Sequence, residues 1–155
     1  MKNGRPRGAR KIATEKVDET NVQILFSDYY DKRWKSGGSG KRESIHPNRV
    51  LPLVTKSISH LDYYSRTENE FAYINKDDGK FPLRIILQEK IDRQMLNVVI
   101  EVHFKEINGI RLTVITATNH DNFMIKDDQY FIVFQGNKSQ LLKQENRTLK
   151  LISTL

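Results

Sequence analysis

The sequence has no cysteine, and it has only one tryptophan, four prolines and eight glycines in 155 residues. Without cysteine, disulfides and thiolate metal sites are excluded. No stretch reaches the roughly 18 apolar residues that a membrane-spanning helix needs, and the basic amino terminus lacks the apolar segment of a signal peptide. We therefore expect an intracellular protein without a membrane partner, nuclear in a eukaryote and cytoplasmic in a bacterium.

Patterns that predict a metal or a cofactor are also missing. The sequence has four histidines, which are His46, His60, His103 and His120. No two of them are separated by a spacing that is typical of metal ligands. The chain contains neither a glycine-rich phosphate loop nor the sharp turn that presents a nucleophilic serine. We expect neither a metal site nor a cofactor.

Glycine is scarce but clustered, because three of the eight glycines fall in the stretch SGGSG at residues 36–40. This composition is typical of a flexible coil. It separates residues 1–35 from residues 41–155, and we interpret it as an engineered linker between two sequences, with a natural loop as the alternative. Such a coil spans on the order of 12 Å, so it holds the two parts at a high effective concentration.

Positive charge is concentrated at the amino terminus. The net charge is +7, and residues 1–11 contain five lysines and arginines but no acid. The sequence Gly4-Arg5-Pro6 with its basic flanks resembles an AT-hook, a motif that places arginine in the narrow minor groove of A·T-rich DNA. The resemblance implies contact with DNA or RNA, and a solubilising tail is the alternative. The residues predicted to bind nucleic acid are Lys2, Arg5, Arg7, Arg10 and Lys11.

Apolar residues then gather between positions 22 and 34. Part of this stretch fits a helix period, whereas NVQILF alternates like a strand, and both interpretations stay open. A short apolar element without a core of its own buries its apolar face on another surface. We expect it to dock on residues 41–155 through Val22, Ile24, Leu25, Phe26, Tyr29, Tyr30 and Trp34.

The rest of the chain predicts an α+β fold, mainly an antiparallel β meander of about five or six strands with one or two helices. Alternating apolar residues from Leu96 to Phe104 indicate the clearest strand. Asn108-Gly109 predicts a two-residue hairpin turn. A helix is expected near residues 54–63, and a hairpin around Asp77-Asp78-Gly79 with its strands at residues 71–74 and 83–87. A closing helix, or a short helix leading into a last strand, is expected after residue 138.

The predicted hairpin places Glu101, His103 and Thr116 on one face of the sheet. A carboxylate, an imidazole and a hydroxyl are able to cleave RNA by general acid–base catalysis, although such residues are ordinary on a solvated sheet face. Our main hypothesis is a non-enzymatic protein-interaction module that holds residues 1–35 as a partner segment and associates with chromatin or nucleic acid. The alternative is a small bacterial ribonuclease toxin joined to its antitoxin segment, with these three residues as its catalytic group.

Overall fold

The computed structural model describes residues 9–17, 20–35, 45–72, 84–105, 109–119 and 129–155. These residues form one eight-stranded sheet, two helices and a single helical turn. The fold is α+β, as expected, with more strands than the predicted five or six. The elements are β1 (Arg10–Val17), β2 (Thr20–Phe26), α1 (Asp28–Lys35), α2 (Pro47–Thr67), α3 (Asn69–Ala72), β3 (Arg84–Ile91), β4 (Gln94–Lys105), β5 (Gly109–Thr118), β6 (Tyr130–Gln135), β7 (Lys138–Glu145) and β8 (Thr148–Thr154).

Across the sheet the strands follow the order β1-β2-β5-β4-β3-β6-β7-β8, and most neighbours are antiparallel. Two pairs are parallel: β2 lies beside β5, and β3 lies beside β6. A parallel pair requires a long connection between its strands. Strand β2 therefore joins the amino-terminal part of the chain to a strand that is distant in sequence.

Helix α2 starts earlier than the predicted position near Val54. The side chain of His46 caps it by accepting a backbone N–H, and Pro47 occupies the first turn, where a missing N–H is tolerated. Pro52 removes one internal hydrogen bond, yet the helix continues to Thr67 because tertiary packing of its apolar stripe supplies most of its stability. No helix in the described ranges is both long and apolar enough to cross a membrane.

One face of the sheet packs against the helices and forms the main core. Alternate residues of β4, from Leu96 to Val102, are fully buried there, as their alternation predicted. Alternate residues of β2, β5 and β6 extend the same layer across the sheet. The members of this core include Ile24, Phe26, Tyr30, Leu53, Ile58, Leu61, Tyr64, Phe71, Ile100, Leu112, Tyr130, Ile132 and Phe134.

The opposite face of the sheet carries a smaller apolar group between rows of polar side chains. Four buried residues form this group, and they are Ile86, Val99, Ile115 and Phe131. Partly buried Val133 and Leu142 pack against them. Each of the two faces therefore has its own apolar layer, and the larger one lies under the helices.

The predicted two-residue turn at Asn108-Gly109 is wrong. Lys105 pairs with Gly109, so residues 106–108 separate the paired ends of β4 and β5. Those three residues themselves lie outside the described ranges. Because a turn fixes the register of a hairpin, the pairs along both strands differ from the predicted ones.

The new register moves the threonine that was expected opposite Glu101. Thr113 lies opposite Glu101, whereas Thr116 lies opposite Val99. Between these two pairs the register shifts by one residue, and Ile115 is the extra residue of a bulge in β5. A bulge of this kind leaves one strand with two residues against one on its partner.

Within the described ranges, three tight turns join antiparallel neighbours, and of these only the turn at Gly136 contains glycine. Asp92-Arg93 joins β3 to β4 with φ angles of 50° and 68°, and Asn146-Arg147 joins β7 to β8 with φ angles of 48° and 65°. Gly136 has a φ of 64° in the turn between β6 and β7. Asp and Asn tolerate the left-handed region, which explains why β7 and β8 form a hairpin where the sequence predicted a closing helix.

Other sequence expectations fall in different places. Phe71 belongs to the helical turn α3, not to a strand. The predicted turn Asp77-Asp78-Gly79 lies outside the described residues, and so does the Gly/Ser stretch at 36–40. Strand β3 follows at Arg84, close to its predicted start.

Replacing Arg93 with glycine is expected to stabilise the protein by about 0.5–1 kcal/mol, because a residue with a Cβ is strained in the left-handed region. Gly136→Ala is the matched opposite change and is expected to cost about 1 kcal/mol. A Cβ at Gly136 would meet nothing within 4 Å, so the cost is that of the backbone alone. Urea unfolding measures both values, and a loss of stability in Arg93→Gly would contradict the turn geometry.

Candidate docking seam and polar sheet cluster

Strand β2 lies parallel to β5 along a seam of six residue pairs, from Asn21 opposite Gly109 to Phe26 opposite Val114. We call this pairing the docking seam. On its other side β2 pairs with β1, so β2 has a hydrogen-bonded neighbour on both edges. Four of the residues that the sequence predicted to dock are thus part of the main sheet, and they are Val22, Ile24, Leu25 and Phe26.

Ser27 joins the end of the docking seam to the start of α1. Its hydroxyl accepts a hydrogen bond from the backbone N–H of Tyr30 at 3.1 Å and donates to the carbonyl of Ile115 at 2.9 Å. The first contact caps the helix, and the second contact meets the β5 bulge. A serine followed by an aspartate was a signal for this helix start, and sequence reasoning missed it.

A charged clamp holds β1 against α1. Arg10 donates to both oxygens of Asp31, at 2.8 Å and 2.9 Å, and the Trp34 indole donates to the same carboxylate at 3.1 Å. The hydrogen bond from Arg10 is the main cause that lowers the pKa of Asp31, although burial opposes it. Arg10 also lies over the ring of Phe26, 5.9 Å from its centroid.

The predicted docking residues are not equally buried. Five of them are buried, and these are Val22, Ile24, Leu25, Phe26 and Tyr30. Trp34 is half-buried and packs on the main core, whereas Tyr29 is 49% exposed. The open choice between strand and helix resolves into both, because β2 ends at Phe26 and α1 begins at Asp28.

Tyr30 connects this segment to the residues that follow the Gly/Ser stretch. Its hydroxyl donates to the carbonyl of Ile45 at 2.7 Å, and its ring meets Phe26 edge to face at 4.9 Å. Burial, and to a lesser degree the charge of Asp31, raises the pKa of this hydroxyl. Tyr30 is therefore a neutral donor at any ordinary pH.

Of the residues predicted to bind nucleic acid, two lie in the described ranges. Arg10 is engaged by Asp31, so its guanidinium is partly committed within the protein. Lys11 is exposed on β1. The other three, Lys2, Arg5 and Arg7, lie outside the described residues.

Five polar residues meet on the sheet face that lacks the helices. His103 lies opposite Arg111, Glu101 lies opposite Thr113, and Arg84 lies opposite Glu101 on its other side. The Arg84 Nε and Glu101 Oε1 atoms are 3.7 Å apart. We call these residues the polar cluster: Arg84, Glu101, His103, Arg111 and Thr113.

The polar cluster is buried apart from Arg84. Glu101, His103 and Arg111 are 6–8% exposed, and Thr113 is fully buried. The Thr113 hydroxyl has no hydrogen-bond partner in the described part of the chain. Burying an unsatisfied hydroxyl lowers stability.

A second polar group lies between α2 and β7, and no local sequence pattern predicts it. The Ser139 hydroxyl is 2.6 Å from His60 Nδ1 and 2.8 Å from the Tyr64 hydroxyl. Burial and then the nearby charge of Lys56 lower the pKa of His60, so its ring is neutral at neutral pH. His60 and Tyr64 lie one turn apart on α2, and all three side chains are buried, so this group acts as a satisfied bridge in the core.

Within the described ranges, no group of three or more histidine or acidic side chains is arranged to hold a metal ion. The chain matches no protein-family model, no curated protein and no solved structure.

Asp31→Asn is expected to destabilise the protein by about 1–2 kcal/mol at neutral pH, because it removes charge-assisted hydrogen bonds. The folded-state pKa of Asp31 is lowered from 3.8. Its contribution is therefore complete above about pH 4 and is lost as the pH falls through the folded pKa. The stability difference between Asp31→Asn and the parent should shrink in acid, as measured by urea unfolding at several pH values.

Asp28→Asn is the matched control for this change. Asp28 pairs with Lys32 at 3.1 Å on the exposed side of the same helix, and such pairs contribute only about 0.3–0.5 kcal/mol. Equal effects of the two substitutions at neutral pH would argue against the clamp.

Proposed function

We propose that this protein is a non-enzymatic interaction module whose sheet accepts an extended partner segment along β5, and that residues 1–35 are such a segment. The docking seam is the observation that supports this proposal. Addition of a strand to an open sheet edge is a common mode of peptide recognition, in which main-chain hydrogen bonds supply affinity and side-chain pockets supply specificity. Without β2, strand β5 would be an unpaired edge.

The buried anchors of the segment are large enough for stable docking. Val22, Ile24 and Phe26 are at most 2% exposed and alternate along β2 towards the main core. Full burial of a side chain of this kind contributes roughly 1.5–3 kcal/mol. Several such anchors, together with the Tyr30 hydrogen bond and the main-chain pairing of the docking seam, favour docking.

The association with nucleic acid rests on charge. Residues 1–11 hold five positive side chains without an acid, and a strongly positive arm attracts phosphate backbones. Asp31 engages Arg10. Residues 1–11 therefore offer four cations for this contact, one fewer than the sequence count indicates. We propose that Lys2, Arg5, Arg7 and Lys11 make it.

A chain cut by a specific protease at a site placed within residues 36–40 tests the docking proposal. The two pieces of the cut protein should remain associated. An excess of labelled peptide 9–35 should replace the bound segment, while the circular dichroism spectrum shows that the larger piece stays folded. The physical reason is that a docked partner leaves and returns without unfolding its acceptor.

Two variant peptides serve as controls for the exchange. Ile24→Asp places a charge in the main core and should abolish replacement, whereas Tyr29→Ala changes an exposed ring and should leave it intact. Exchange that occurs only when the larger piece unfolds would show that residues 9–35 are an inseparable part of the fold.

A second candidate function is RNA cleavage, and the presence of Arg111 beside His103 favours it. Glu101 would remove the proton of a ribose 2′-hydroxyl, whose oxygen attacks phosphorus, while His103 protonates the departing 5′-oxygen. This leaves a 2′,3′-cyclic phosphate and a free 5′-hydroxyl. Glu101 and His103 are two residues apart on one strand, so their Cα atoms are separated by about 7 Å. Thr116 is not opposite either residue, because the register shift places it opposite Val99.

RNA cleavage by the purified chain decides between the two candidates. The interaction module predicts no cleavage, whereas the ribonuclease predicts cleavage that falls about 10²–10⁴-fold in Glu101→Gln or His103→Gln. Glu89→Gln and His60→Gln are matched controls, because these residues lie on the helix side of the sheet. Cleavage that is equal in all five proteins would indicate a contaminating nuclease and would remove the second candidate.

A further inference from the structure

The polar cluster has the arrangement of an anion site, with its donors in two neighbouring rows of the sheet. Arg111 and His103 face each other in one row, and Thr113 and Glu101 face each other in the next. Side chains directly opposite on antiparallel strands have Cβ atoms about 4.5–5.5 Å apart. Three hydrogen-bond donors from two strands therefore lie on one face of the sheet, with their Cβ atoms about 4.5–8 Å apart.

The charge of the cluster favours an anion. It contains two guanidinium groups and one carboxylate, and the carboxylate is already close to Arg84. A guanidinium has five N–H donors in a planar fork that matches the oxygens of a phosphate. Arg111 is thus able to keep a contact within the protein and still present donors to a ligand.

Thr113 supplies an independent observation. Its hydroxyl is fully buried, lies next to the Arg111–His103 row and has no hydrogen-bond partner among the described residues. An alanine or valine at this position would avoid the cost of burying that hydroxyl. A donor retained at such a cost, beside an arginine and a histidine, is what an oxyanion needs for its third oxygen.

We propose that Arg111, His103 and Thr113 form a binding site for a single phosphate-like oxyanion. The three residues are each less than a tenth exposed, which leaves room for nothing larger than a single tetrahedral group. Two sources share this chemistry, inorganic phosphate and the terminal phosphate of a nucleotide or RNA. The inference does not depend on the docking of residues 1–35.

Calorimetric titration of the full chain with inorganic phosphate, at constant ionic strength kept with chloride, tests the proposal. Saturable binding is expected in the parent protein. Thr113→Val keeps the volume and removes the hydroxyl, so it should weaken phosphate binding about tenfold or more while thermal stability is unchanged or raised. His103→Gln should weaken binding as well and provides a second variant if either protein is poorly folded.

Thr118→Val is the matched control. The Thr118 hydroxyl is also buried without a partner in the described part of the chain, on the same strand, but it lies opposite Asn97 and away from the cluster. This variant should bind phosphate like the parent protein. Absence of saturable binding up to about 10 mM phosphate, or binding that survives both Thr113→Val and His103→Gln, would overturn the proposal.

Two further titrations distinguish the sources of the oxyanion. A short RNA is compared with and without a 5′-phosphate, and 5′-AMP is compared with adenosine. Stronger binding of the phosphorylated member in each pair, lost in Thr113→Val, would assign the site to a terminal phosphate. Binding of inorganic phosphate alone would assign it to the free ion.

Discussion

The main core depends on strand β2 lying between β5 and β1. Val22, Ile24 and Phe26 fill the layer beneath the helices, and no other described strand covers that side of β5. The same seam positions Ser27, which starts α1 and bonds to the β5 bulge. Helix α1 in turn places Asp31 against Arg10 of β1. The buried apolar side chains of β2 therefore determine where helix α1 and the Arg10–Asp31 clamp lie.

Much of this fold was predictable wherever a local pattern matched a local structure. The alternation of β4 and the apolar stripe of α2 follow from burial on one face, whereas the continuous apolar run of β6 follows from burial on both faces. The β7–β8 hairpin was not predicted, because Asn146-Arg147 lacks the glycine that marks most two-residue turns. The parallel pairing of β2 with β5 was not predictable from local pattern, because it depends on contacts between distant residues.

The polar cluster was half visible in the sequence. The spacing of Glu101 and His103 predicts that they share one face of the strand, but the predicted turn places Val114 opposite His103. Pairing apolar with apolar residues would have corrected this, since Val102 lies opposite Leu112 and Ile100 opposite Val114. A shift by an odd number of residues exchanges the faces of a strand, and here the shift moves Val114 into the core and brings Arg111 and Thr113 to the cluster. Burial of an entire apolar face is a stronger constraint on the register than the turn signal at Asn108-Gly109.

The parallel seam also affects the order in which the chain folds during synthesis. Ser27 and its partner Ile115 are 88 residues apart, and a ribosome adds about 5–20 residues each second. Strand β5 is therefore complete roughly 4–18 s after β2 has been synthesised. Until then the apolar side chains of β2 lack their neighbours on β5. Strands β3, β4 and β5 have nearer partners and assemble with smaller loop-closure costs. A segment made well before its partner strand is thus among the last parts of the sheet to reach its place, and in the cell that interval is when a chaperone or a neighbouring chain has access to it.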